Sequence, residues 1–310
     1  MVSFSNFSCQ KMTGVLSYLG LMVIIGSLVG LVSSFFGVGA CFLMVPTMIY
    51  FFESCYGTNP SLAPLIAFGT NMAVVVPTAV SGAIRHRREL RSRGVAFPLR
   101  HFLNFGIPVG LGSFLGAITA FTIFSAYRAY AGIIFKGIFG IFCLFGAYRF
   151  MKARPKPISE LKPPSIMVFA LSGVLSGYIA HVIGIGGGLI YVPVLNTLLG
   201  VPIHAAVPVS LATMIIGSSV GSLSFAALGY ADQVIHPGDY PPLSLGWFNL
   251  TAFLSIGIPS IIFAQIGPIL AHKTSPKKYK ILLALVYTYI GIRLVIRSAF
   301  QLQGLTPPIP

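Results

Sequence analysis

Acidic side chains are almost missing from this sequence. Five Asp and Glu face twenty Lys and Arg over 310 residues, and charge of either sign amounts to 8%. Soluble domains carry about 25% charged residues, so a water-soluble globular fold is excluded. Disorder, which needs low hydrophobicity and high charge, is excluded with it. The shortage of acids also removes most enzyme chemistry: there is no carboxylate pair, no His-Glu-x-x-His and no nucleophile elbow, and the acids read as loop residues. Cysteine occurs four times, at Cys9, Cys41, Cys55 and Cys143, without metal or redox spacing. No enzyme activity, cofactor or metal is expected. The GIGGG of residues 184–188 has neither the βαβ setting of a dinucleotide site nor the Lys of a phosphate loop.

What is present is apolar: 55% of the residues are hydrophobic. A helix crosses a hydrocarbon core of about 30 Å with about 20 apolar residues. Runs of that kind fall at 14–36, 62–84, 102–125, 130–150, 166–183, 205–228, 246–270 and 281–300, with shorter pieces at 37–52 and 184–200. The expected fold class is all-α, a polytopic helical membrane protein of about 8–10 membrane segments. The first run is too long for a signal-peptide core, lacks a small-residue cleavage site and has a counterpart later in the chain. It is read as a membrane segment.

That counterpart belongs to an internal repeat. FFGVGACFLMVP (35–46) matches VIGIGGGLIYVP (182–193), placing Gly37, Gly39, Val45 and Pro46 over Gly184, Gly186, Val192 and Pro193. FGTNMAVVVPTAVSG (68–82) follows the rhythm of PVSLATMIIGSSVG (208–221), which sets Thr70 and Asn71 over Val209 and Ser210. The chain divides into a first repeat at 14–150, a basic linker at 151–165 and a second repeat at 166–300.

Charge orients the repeats. Fifteen of the twenty cations fall in three blocks: Arg85, Arg87, Arg88, Arg91, Arg93 and Arg100; Arg149, Lys152, Arg154, Lys156 and Lys162; Lys273, Lys277, Lys278 and Lys280. Loop 85–100 is cationic, whereas its counterpart 229–244 holds Asp232, Asp239 and neither Lys nor Arg; the next pair of loops reverses the bias. The positive-inside rule then inserts the halves upside down relative to one another. Loops 85–100, 149–165 and 271–280 are expected in the cytoplasm; loops 53–61, 125–130 and 229–244 and both termini are expected outside. The basic surplus is therefore a topology signal whose expected partners are anionic lipid headgroups, not nucleic acid. Parity leaves open whether 14–52 and 166–200 cross twice or dip in as hairpins. Gly-rich breaks at membrane depth are tolerated only where backbone is buried or lines a cavity.

A Gly break that opens a new half-helix exposes N–H groups and a positive dipole end, which attracts anions without formal charge. The alternative use of small residues is close helix packing, and it accounts for most of the 34 glycines. The matching Val-Pro stop favours a ligand role for the paired clusters. Candidate binding residues are Gly37, Gly39 and Ala40 in the first cluster and Gly184, Gly186, Gly187 and Gly188 in the second, joined by Thr70, Asn71 and Ser210. For Thr70, a bond to the helix carbonyl one turn back is the stronger reading; Asn71 is harder to satisfy in that way.

Ionisable residues inside the apolar runs cost roughly 2.5–3.5 kcal/mol each at a helix centre, so each needs a reason. His181, three residues before the second cluster, either contacts an anion or takes a proton, or is a neutral imidazole bonded to a helix carbonyl. Lys136 reads as snorkelling outward, and Arg293 and Arg297 as interfacial anchors. Inverted repeats with interrupted helices are the plan of secondary transporters. The leading reading is a secondary transporter of small anions with a midplane site; an anion channel or a non-transporting membrane scaffold is the alternative.

In order and in both halves, these motifs resemble the sulfite exporter TauE/SafE family of membrane transporters. The resemblance rests on the two Gly-rich hairpins ending in Val-Pro (37–46 and 184–193), the small-polar helix after each, and the Ser81-Gly82-Ala83-Ile84-x-His86 step into a basic loop. It extends from about residue 15 to about 298. It implies movement of sulfite or organosulfonates across a bacterial inner membrane. His86 matches a position commonly His in that family, and its loop location implies a gate or structural role. The chain departs from the family pattern at GVGAC, where Ala40 and Cys41 replace glycines, and at Asn71, where Ser is usual; Ser210 keeps the Ser.

Overall fold

The computed structural model describes residues 3–37, 39, 41–92, 94, 96–152, 165–267, 269 and 276–305. Ala40, most of the linker and the basic stretch 270–275 lie outside the described residues. Helix α1 (Ser3–Phe36) runs to the first glycine cluster and α2 (Cys41–Tyr56) returns from it. α3 (Ala63–Ser92), α4 (Leu99–Ala126) and α5 (Ala131–Lys152) complete the first half. The second half repeats this order with α6 (Ile166–Val182), a short α7 (Gly188–Pro193) prolonged by a π-helical turn (Val194–Leu198), α8 (Ile203–Ile235), α9 (Leu250–Phe263) and α10 (Pro276–Leu302). Among the described residues, α1, α3, α4, α5 and α8 are long and apolar enough to cross a membrane. The chain is a polytopic helical membrane protein.

The apolar run at 246–270 is not helical throughout. Its first residues belong to a β-hairpin, β1 (Ser244–Leu245) and β2 (Phe248–Asn249), paired Ser244 to Asn249 and Leu245 to Phe248. Gly246, with φ +56°, opens the two-residue turn, the position at which a type II′ hairpin takes glycine. The Asn249 side chain then caps α9 by accepting the Ala252 N–H at 3.0 Å.

α1 packs on α9 and α4 on α6, while α3 packs on α8 and α5 on α10. This set of pairings is unchanged when α1–α5 are exchanged with α6–α10. Close approach needs missing side chains. A Cβ at Gly26 or Gly30 of α1 would strike the carbonyls of Ile256 or Ser260 in α9, and Gly112 and Gly177 play the same part between α4 and α6. For these glycines the packing role is the one observed.

Three acids expected in loops are helical: Glu53 in α2, Glu89 in α3, where Arg85 pairs with it at 3.1 Å, and Asp232 near the end of α8. Lys136 does not snorkel. It is fully buried, with its Nζ 3.0 Å from Glu53 Oε1 and donating to Gln301 Oε1 at 2.9 Å. Arg297 is likewise more than an interfacial anchor, since its Nη2 donates to Glu53 Oε2 at 2.6 Å. The reason is that α2, α5 and α10 meet at this end of the bundle. A cation supplied with a carboxylate partner stays inside, where an unpaired one would have to reach for the headgroups.

Candidate functional site

The two glycine turns end up side by side inside the protein. Gly37, Gly39, Gly184, Gly186, Gly187 and Gly188 are all buried. Gly37 (+67°), Gly39 (+75°), Gly184 (+70°), Gly186 (+68°) and Gly187 (+90°) hold positive φ, a region that costs other L-residues about 1–2 kcal/mol each. Val75, in the middle of α3, lies against both turns: its Cγ2 is 3.9 Å from where a Cβ would stand at Gly39 and 3.5 Å from that of Gly186. Gly188 Cα is also 3.9 Å from the Gly39 position.

Reciprocal hydrogen bonds lock the turns together. Asn71 Nδ2 on α3 donates to the Gly184 carbonyl at 2.8 Å, and Ser210 Oγ on α8 donates to the Gly37 carbonyl at 3.0 Å. Each bond joins the helix that follows one hairpin to the first glycine of the other. Sequence reading placed Asn71 over Ser210 and Gly37 over Gly184, but it did not foresee that the partners would be exchanged between the halves.

The surroundings of the second turn are polar. Ser218 Oγ donates to the Gly186 carbonyl at 3.3 Å. The Tyr191 hydroxyl and Ser113 Oγ both lie against Gly217, at 3.0 and 3.1 Å from its Cβ position. None of the three was selected from sequence. The stripe Ser210–Met214–Ser218, at i, i+4 and i+8 on α8, carried the signal for Ser218; Tyr191 and Ser113 look like any polar residue in an apolar run. Among the described residues, no acceptor is placed for the N–H groups of Gly186 and Gly187. Asn71 Nδ2 carries a second hydrogen beyond the one given to Gly184. Together these groups can donate to an oxyanion without adding formal charge.

The other candidates lie at the edge of this arrangement. Thr70 Oγ1 accepts the Asn249 N–H at 2.9 Å, so it faces the β-hairpin in place of the helix carbonyl one turn back. His181 is buried behind the second turn between Gly116 and Gly221, and its Nδ1 lies 2.8 Å from the Gly177 carbonyl, the helix-carbonyl arrangement of the two readings. His86 Nε2 lies 2.9 Å from the carbonyl of Ser34, three residues before Gly37 at the end of α1. Ala40 falls outside the described residues.

The sequence profile described as Sulfite exporter TauE/SafE matches residues 22–294. A probable membrane transporter protein of Methanocaldococcus jannaschii is 24% identical over 88% of this chain and 94% of its own length. Probable membrane transporter proteins of Bacillus subtilis and Haemophilus influenzae are 23% and 25% identical, each over 91% of this chain and over 98% and 99% of their own. No solved structure matches the chain significantly.

Proposed function

The chain belongs to the sulfite exporter TauE/SafE family and is a multi-pass membrane transporter, and from that membership we propose that it carries small sulfur oxyanions or sulfonates through a site between its two glycine turns. The observation that carries this reading is the reciprocal pair of bonds, Asn71 to Gly184 and Ser210 to Gly37, which brings both helix breaks to one buried place. Unpaired N–H groups there suit an oxyanion, and a site free of fixed positive charge releases its cargo as readily as it takes it. Gly37, Gly39 and residues 184–188 lie buried between helices, which supports hairpins dipping to the midplane from opposite sides. Exchange of access then comes from motion of one half against the other. The basic loops 85–100, 149–165 and 271–280 lie on the cytoplasmic face of a bacterial inner membrane, beside anionic headgroups. The end bearing residues 53–61, 125–130 and 229–244 faces out.

Proteoliposomes loaded with labelled sulfite, taurine or sulfate test the reading directly. Saturable flux of a sulfur oxyanion or sulfonate is expected. Flux that stays linear into the millimolar range would identify a channel, and folded protein that moves none of these anions would end the proposal. Sidedness has its own test: cysteines at Ser92 and Gln233 should label from opposite faces, and labelling from one face would undo the inverted arrangement.

A further inference from the structure

We propose that the β-hairpin of residues 244–249 is the gate that closes the glycine turns toward the α8–α9 end of the bundle, with Trp247 as its stopper, Arg128 as its latch and Thr70 as its link to Asn71. This rests on the transport reading, which gives the closure its purpose.

The hairpin is inserted into the bundle. Trp247, the single tryptophan, is fully buried among Phe121, Phe124 and Phe225, with ring centroids 5.9, 5.2 and 5.3 Å away. Its carbonyl occupies the place where Gly69 of α3 would carry a Cβ, and Gly246 lies against the α8 backbone at Ala226 and Tyr230. Four consecutive residues of α3 then connect hairpin and site. Gly69 and Thr70 meet Trp247 and Asn249, while Phe68 packs on Gly184 and Asn71 bonds its carbonyl. The hairpin and the second glycine turn therefore hold one turn of α3 from two sides, and withdrawal of the first releases a support of the second.

Ion pairs fasten the hairpin's loop from the rim. Arg128, between α4 and α5, pairs with Asp232 and, at 2.7 Å, with Asp239. Tyr240 donates to Asp232 Oδ2 at 2.7 Å, and Ser61 Oγ donates to the Arg128 carbonyl at 2.5 Å. Burial lowers the basicity of Arg128, but the two carboxylates outweigh it, so the latch stays charged. Arg128 is half-buried and Asp239 exposed, at 32% and 51% side-chain exposure, and the pair between them is of the kind weak enough to open repeatedly. Beside the latch, a cleft of about 460 Å³ lies at the same end, lined by Tyr56, Thr58, Asn59, Asp239 and Tyr240.

The test uses the full-length protein with its native cysteines replaced by alanine and a single reporter, Ser218→Cys, at the second turn. A membrane-impermeant maleimide is added from the hairpin side. Arg128→Ala should raise the labelling rate roughly tenfold, the factor that corresponds to about 1.4 kcal/mol of lost closure, and Trp247→Leu should raise it further. In a separate protein, Arg128→Cys and Asp239→Cys joined by a short bis-methanethiosulfonate, which forms a disulfide to each cysteine as sulfinate leaves, should halt labelled-sulfite flux, and reductant should restore it. Labelling that stays at the parental rate in Arg128→Ala, or undiminished flux through the bridged protein, would overturn the gate. Labelling that rises while the parental protein, with Ser218 intact, moves no sulfite would support the gate and overturn the substrate reading alone.

Discussion

The two glycine turns carry the same motif in different company. The first, at Gly37 and Gly39, sits among Val207, Val192 and the mobile end of Met214. It leads into the sixteen-residue α2, which the Glu53 ion cluster fastens at its far end. The second, at Gly184–Gly188, sits among Asn71, Ser218 and the Phe68 and Tyr191 rings, and leads into a helix of six residues that loosens at once into a π turn. π turns of this kind gather at functional sites. Glycine spacing makes the turn; the neighbours decide what it is for. The first turn is walled mainly by apolar side chains, with Ser210 on its carbonyl; the second has more polar neighbours, Asn71 of the first half among them, and a return helix that loosens early.

The largest test of that difference is electrostatic. Glu53→Gln leaves Lys136 and Arg297 without their carboxylate, and breaking a buried pair costs about 3–5 kcal/mol. The matching position in the second half is Gly200, so no change there has an equivalent. Thermal unfolding in detergent should show a large drop, and a melt within a degree or two of the parent would mean that α2 is not fastened there.

Gly187→Ala comes next. It meets both the φ of +90° and the Tyr191 ring, so strain of about 1–2 kcal/mol adds to overpacking of about 1–3 kcal/mol. Gly39→Ala meets only the φ of +75° and the Met214 methyl, which can swing away, and should cost about 1–2 kcal/mol. Equal losses in the same unfolding assay would erase the distinction between the turns.

The reciprocal bonds rank third. Asn71→Leu and Ser210→Ala each leave a buried glycine carbonyl unpaired, at about 1–3 kcal/mol, but only Asn71→Leu also removes a donor from the polar turn. It should abolish sulfite flux, whereas Ser210→Ala should retain a measurable fraction. The reverse order of fluxes would assign the cargo to the first turn. Smallest is Met214→Leu, a volume-conserving change expected below about 1.5 kcal/mol and silent in transport.

How much of this was legible beforehand varies by residue. The long helices, the paired turns and the positive φ of their glycines follow from apolar runs and glycine spacing, because both are local properties of the chain. The exchange of Asn71 and Ser210 between halves is not local: it depends on how α3 and α8 pack, which no single segment encodes. Lys136 was misread because a lysine in an apolar run looks the same whether it snorkels or meets an acid 83 residues earlier. The hairpin was hidden because Leu245, Trp247 and Phe248 extend the hydrophobic run that α9 continues. Thr70 offered a hydroxyl to its own helix on paper, and in the fold it receives an N–H from that hairpin.

The Glu53 cluster also sets an order of assembly. Glu53 leaves the ribosome 83 residues before Lys136 and 244 residues before Arg297. When α2 first enters the bilayer, its carboxylate waits for both partners. α5 brings Lys136 to it first, and α10, later in the chain, closes a second bond onto the same carboxylate. α10 is thereby clasped to the first hairpin, and a chain cut before it would hold the Glu53 carboxylate by Lys136 alone.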